Sequence, residues 1–248
     1  MKHVKAKKLR EMDASERLAN QYLLALKRGN VVFEPDGNIP PDFSVSGTIG
    51  VEVRRLNQNY GYPDGSMEGL EQLSIPIWQH LEKELPSIGP SIDGESWFVG
   101  IDFRRPIDPK KLLWPKIRKE LITFMTSADR KQCTISVTDN FNLDLIRASK
   151  DCGSFFLLGV SSDNDEGGWV MEEVEKNLRF CIEVKEKKIT PYRQKYTEWW
   201  LILPDYIDYS MELQDRDVFR TDVMPNLQHS FNKIIFLDPR DHSRAFEI

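Results

Sequence analysis

The stretch from Pro41 to Leu56 constrains the fold more than any other part of the chain. It reads as two β-type runs, 41–46 and 49–56, folded back on each other across Ser46-Gly47-Thr48. A turn centred on Gly47 sets Asp42 directly opposite Glu52. Opposed residues of an antiparallel pair have Cβ atoms about 4.5–5.5 Å apart on one face of the sheet, and like charges there repel. A cation between them would turn that repulsion into a binding site, and paired carboxylates suit Mg²⁺. Arg54, two residues beyond Glu52, projects from the same face. The plainest alternative is an edge hairpin whose charged face meets solvent and limits edge-to-edge pairing. Against it, Glu52 stands between Val51 and Val53, where an acidic residue is unexpected unless its face is polar or functional.

Around this hairpin the chain alternates helical and strand patterns. Leu9, Met12, Ala19, Tyr22, Leu23 and Leu26 predict an opening helix to about Gly29, and Val31-Val32-Phe33 a short strand. Helices follow at about Met67–Leu85 and Pro109–Thr126, with strands at Trp97–Phe103, Thr134–Val137 and Phe155–Val160. Residues 170–189 give the clearest helix, with Val174, Leu178, Cys181, Ile182 and Ile189 on one face. Lys185 lies on that same apolar stripe. A lysine there needs a partner or a route to water: it could reach into a site, or its stem could lie along the core with the ammonium turned outward. Lys188 is its fallback. Trp199–Leu203 and Ile234–Leu237 are the last strands, with Trp199 and Trp200 on opposite faces. The order predicts one α/β domain over residues 1–248, a mixed central sheet flanked by helices, with strands and a helix inserted at roughly 87–168.

The pattern Pro41-Asp42, then Glu52-Val53-Arg54, resembles the PD-(D/E)XK nuclease superfamily, with arginine where that family's lysine is usual. The likeness covers residues 9–56 and extends more loosely to the helix and strand at 170–203, where the family places its second core helix and fourth strand. It implies a restriction-endonuclease-like fold and metal-dependent hydrolysis of phosphodiester bonds. It also implies Asp42, Glu52 and the Val53 carbonyl as ligands of Mg²⁺ or Mn²⁺. A further acidic residue often comes from the preceding helix; Glu16 matches best, ahead of Glu11 and Asp13. Arg54 departs from the pattern, because a guanidinium stays protonated and cannot serve as a base, although it can still face phosphate. Lys185 could supply the missing amine. The same departure motivates the alternative of a catalytically inactive nuclease fold that binds nucleic acid or a protein partner.

Composition narrows the setting. Hydrophobic residues at 40% and charged residues at 29% are ordinary for a folded domain, so disorder is not the starting expectation. No apolar run approaches the length of a membrane span, and the N-terminus is too basic for a secretory signal. Three cysteines, Cys133, Cys152 and Cys181, without metal-ligand spacing fit reduced thiols, so a cytoplasmic protein with no membrane partner is expected. A net charge of −5 gives no global pull on nucleic acid. Two local basic stretches could still bind phosphate, or simply be solvated helix faces. One is Lys2, Lys5, Lys7, Lys8 and Arg10; the other runs from Arg104 and Arg105 through Lys110, Lys111, Lys116, Arg118 and Lys119. DNA is expected as partner ahead of RNA, and a homodimer would suit cutting two strands. His3, His80, His229 and His242 show no ligand spacing. Asp163 opens a calcium-like acidic loop, but Val174 stands where an EF-hand needs glutamate. Asp205 and Asp208, beyond the Trp199 strand, read as turn residues.

Overall fold

The computed structural model describes residues 10–248, so Lys2, Lys5, Lys7, Lys8, His3 and Leu9 lie outside the described residues. The chain is mixed α/β. Its first elements are α1 (Ala14–Ala25), β1 (Val31–Phe33), β2 (Phe43–Val45) and β3 (Ile49–Val53). Next come β4 (Asn59–Gly61), β5 (Met67–Gly69), α2 (Leu70–Glu84), β6 (Trp97–Phe103) and α3 (Lys110–Thr126), then β7 (Cys133–Thr138), β8 (Phe141–Arg147) and β9 (Phe156–Asp163). The chain closes with α4 (Val170–Ile189), β10 (Glu198–Pro204), α5 (Leu213–Val218), β11 (Lys233–Asp238) and β12 (Asp241–Glu247). The described residues form two compact units, one from residues 10–58 with 168–248, the other from 59–167.

The first unit is built on a six-stranded sheet in the order β1-β2-β3-β10-β11-β12. The β2–β3 hairpin has the register the sequence predicts: Phe43 pairs with Val51, Ser44 with Gly50 and Val45 with Ile49. Strand β10 runs parallel to both β3 and β11, while β12 returns antiparallel to β11. Alternation divides the side chains between two cores. Phe43, Val45, Val51, Val53 and Trp200 pack with Ala19 and Leu23 of α1. Trp199, Leu201 and Leu203 pack with Leu178, Cys181 and Ile182 of α4 on the other face. The adjacent tryptophans therefore straddle the sheet. The opening helix starts later than Met12 suggests, at Ala14. Asp13 caps it, accepting from the Glu16 N–H while the Glu16 side chain accepts from the Asp13 N–H, and this reciprocal pair fixes its first turn.

The second unit begins at Asn59, ahead of the residue 87 expected for inserted material. The reason is α2: its Leu81 and the following Leu85 join the same core as Val99, Ile101, Leu121 and Phe156. This unit holds a four-stranded sheet, β7-β8-β6-β9, and the two-stranded ribbon β4-β5. Met67 to Gly69 pair with β4, which delays the start of α2 to Leu70. Strands β8 and β12 carry no long apolar run. In β8 the buried Phe141, Leu143 and Leu145 alternate with polar residues, and β12 is a polar edge strand with Phe246 as its buried anchor. No helix among the described residues is long and apolar enough to cross a membrane.

Candidate functional site

The site grows from the hairpin. Ser46 and Gly47 both take left-handed backbone (φ 53° and 70°), a conformation that Gly47 adopts without side-chain cost. The turn holds the two strands in register from Val45–Ile49 to Phe43–Val51, and Asp42, the next residue, reaches the same two lysines as Glu52. The Val53 N–H donates to Asp42 Oδ2 at 2.8 Å, and the Glu34 N–H donates to the Asp42 carbonyl at 2.8 Å, so Asp42 is fixed by backbone on both sides. Because Val51 and Val53 face the α1 core, Glu52 faces α4, and it is fully buried there.

Helix α4 meets the two carboxylates with two lysines. Lys185, on the buried stripe, places its ammonium 3.0 Å from Asp42 Oδ2 and 2.6 Å from Glu52 Oε2. Lys188, one turn further, lies 3.3 Å from Asp42 Oδ1 and 3.0 Å from Glu52 Oε2. The Lys185 stem does not turn its charge outward. Its side chain is 9% exposed, against 41% for Lys188. Each carboxylate thus lies within ion-pair distance of both lysines, in a place that little water reaches. Glu52 Oε1 is the exception, buried and without a hydrogen-bond partner among the described residues.

The protonation balance differs between the two acids. Burial pushes the Asp42 carboxyl up, but the charges of Lys185 and Lys188, with the Val53 N–H, outweigh it and hold Asp42 below the usual carboxylate range. Glu52 is pushed above its usual value by burial, with the Asp42 charge adding to it and the lysines opposing. Burial disfavours the Lys188 charge, yet Asp42 and Glu52 raise its pKa overall. The pair is thus divided into a readily ionised acid and a reluctant one.

The remaining expected site residues are placed elsewhere. Arg54 does share the Glu52 face, but its guanidinium stacks on Phe180 of α4, 4.8 Å from the ring centroid. Glu16 belongs to the α1 side of the sheet and is engaged by its own N-cap and by an ion pair with Arg10. Arg10 also pairs with Glu34 at 2.6 Å. Among the described residues no third carboxylate, histidine or cysteine joins Asp42 and Glu52 in a ligand cluster. Asp205 accepts from the N–H groups of Ile207 and Asp208, the turn role expected of it. Asp163 and Asp165 pair with the buried Arg105.

Comparison with known proteins gives no relative to reason from. Neither a family model, a curated protein nor a solved structure matches the chain.

The donor set fits a hard cation. Mg²⁺ is commonly bound by one or two carboxylates, with water and phosphate completing its shell. Asp42 and Glu52 supply two carboxylates on one face, and Oε1 of Glu52 is a buried oxygen with no hydrogen-bond partner among the described residues. Such an atom in a well-packed site calls for an explanation, and a metal ion is one. Lys188, half in solvent, can move away from the pair more easily than Lys185.

Proposed function

We propose that the protein is a metal-dependent nuclease hydrolysing phosphodiester bonds at Asp42 and Glu52, cytoplasmic in setting, with DNA ahead of RNA as substrate. The observation that carries this reading is the convergence of Lys185 on the paired carboxylates, in the place that Arg54 leaves unfilled. The element order supports it too. A helix, three strands, a second core helix and a fourth strand is the order that the nuclease resemblance implies. The exposed thiols of Cys133 and Cys152, with buried Cys181 also free, suit a reducing compartment.

In this reading Asp42, Glu52 and the Val53 carbonyl hold Mg²⁺ or Mn²⁺. A bound ion would supply Lewis-acid polarisation of the phosphodiester and a lowered pKa for its water. The chain's own residues do the rest. Asp42, kept ionised by its lysines and the Val53 N–H, provides the permanent negative charge. Lys185, held by two carboxylates on a rigid helix, presents a fixed positive charge where negative charge develops on phosphate oxygens. Lys188 gives a second, more mobile cation for the incoming strand. Arg54, clamped on Phe180, shapes the wall of the site without exchanging a proton.

One observation favours a non-catalytic reading: the four charged groups already balance one another, as they would in a fold that had lost its metal. Cleavage separates the two. Single- and double-stranded DNA and RNA are incubated with Mg²⁺, Mn²⁺ or EDTA, using the parent protein and Asp42→Asn. Metal-dependent cutting that the substitution abolishes is expected. Salt-sensitive binding with no cutting of any strand would favour the non-catalytic protein.

A further inference from the structure

The unit formed by residues 59–167 carries a cleft lined entirely by its own residues. This cleft, of about 280 Å³, opens between α2 and α3, floored by Leu73, Ile77, Leu113 and Ile117. Three aromatic rings, those of Tyr62, His80 and Trp114, line it. His80 stands edge-on to Trp114, with ring centroids 4.6 Å apart. Its Nε2 is buried and has no hydrogen-bond partner among the described residues, so the cleft offers an unanswered polar atom among apolar walls. Burial, with Lys110 nearby, lowers the His80 pKa and favours the neutral ring.

The rim is polar and its charges are unevenly used. The Tyr62 hydroxyl donates to Glu68, and Lys116 pairs with Asp108 at 2.6 Å, which answers the two acids at the mouth. Lys110 lines the cleft and Lys111 follows it, both exposed at the start of α3. Arg118 and Lys119 are exposed further along the same helix. A matching ligand is flat and largely apolar, has hydrogen-bonding groups on its edge for His80 Nε2, and carries negative charge beside the ring. An unstacked nucleobase on its sugar-phosphate meets all three requirements: its faces suit aromatic side chains whatever its sequence, and its phosphate suits lysine.

We propose that this cleft takes the base of a nucleotide, with the adjoining phosphate held by Lys110 and Lys111. The base can come from a free nucleotide or from a single strand laid along α3, and the two sources share this chemistry. The full-length protein is titrated in EDTA, so that no strand is cut, while the Trp114 indole N–H is followed by NMR and assigned with Trp114→Phe. The probes are adenosine and thymidine monophosphates, inorganic phosphate, a dT oligonucleotide, and the same oligonucleotide without bases. A shift of Trp114 with the monophosphates identifies a nucleotide site; a shift with the oligonucleotide alone identifies a strand-binding site. Either agrees with the proposal, provided that Lys110→Glu/Lys111→Glu and His80→Ala each weaken binding about tenfold or more. Equal binding of the baseless strand or of phosphate alone would overturn it. So would the absence of any Trp114 shift, or affinity unchanged by the substitutions. Cleavage at Asp42 plays no part in these readouts, so the nuclease reading and the base cleft can fail separately.

Discussion

Glu52 has one carboxylate oxygen on two ammonium groups and the other without a hydrogen-bond partner among the described residues, inside a strand whose neighbouring side chains are valines. Removing one partner of a buried ion pair leaves a charge without compensation, at a cost of about 3–5 kcal/mol, whereas removing both costs much less. Lys185→Met should therefore destabilise the protein by about 3 kcal/mol in urea unfolding, and Lys185→Met/Glu52→Gln should recover part of that loss. Additive effects would show that the two groups do not depend on each other. Asp205 makes a second test at this scale. Burial lifts its carboxyl to about 6 from 3.8, against the opposing hydrogen bonds from the Ile207 and Asp208 N–H groups. Between those values the folded protein keeps a proton that the unfolded chain has lost, so stability falls as pH rises through that window. Unfolding at pH 4 and pH 7 should show the parent losing about 2–3 kcal/mol more than Asp205→Asn. Equal losses would contradict the buried, protonated state.

At the scale of elements, the hairpin and α4 were legible because their patterns are local. Ser46-Gly47-Thr48 set the register from the turn alone, and the stripe on α4 put Lys185 among apolar residues. The role of Arg54 was not legible, since its partner Phe180 is far away in sequence and nothing in the hairpin announces it. Glu16 misled for the opposite reason. An acidic residue three positions after Asp13 is a capping-box signature, and the local role claimed it. Glu16→Ala should lower thermal stability and leave the cleavage rate unchanged; a lost rate with intact stability would return Glu16 to the site. Strands β8 and β12 were missed because polar residues interrupt the first and dominate the second, and neither shows a continuous apolar run. The close fit between β3 and β10 gives another prediction. A Cβ at Gly50 would stand 3.1 Å from the Trp199 and Tyr196 rings. Gly50→Ala should cost about 1–3 kcal/mol by overpacking, measured by chemical denaturation, and a neutral effect would mean that the rings yield freely.

At the scale of the molecule, the sequence order described one unit well and hid the start of the other. Residues 67–85 read as one helix ahead of the inserted material at 87–168, and only the shared core of Leu81 and Leu85 with β6 and α3 assigns that helix to the second unit. The base cleft was hidden for a similar reason. Tyr62, His80 and Trp114 are scattered over three segments, and each is unremarkable by itself. The nuclease reading meets its sharpest test where sequence and structure divide the positive charge differently, at Arg54 and Lys185. The measurement is the single-turnover cleavage rate in Mg²⁺ for the parent, Lys185→Met and Arg54→Met, each first shown to be folded by circular dichroism. Lys185→Met should lose about a hundredfold or more, the scale of removing one group that stabilises transition-state charge, while Arg54→Met loses far less. A protein that still cuts without Lys185 but fails without Arg54 would contradict the site built from α4.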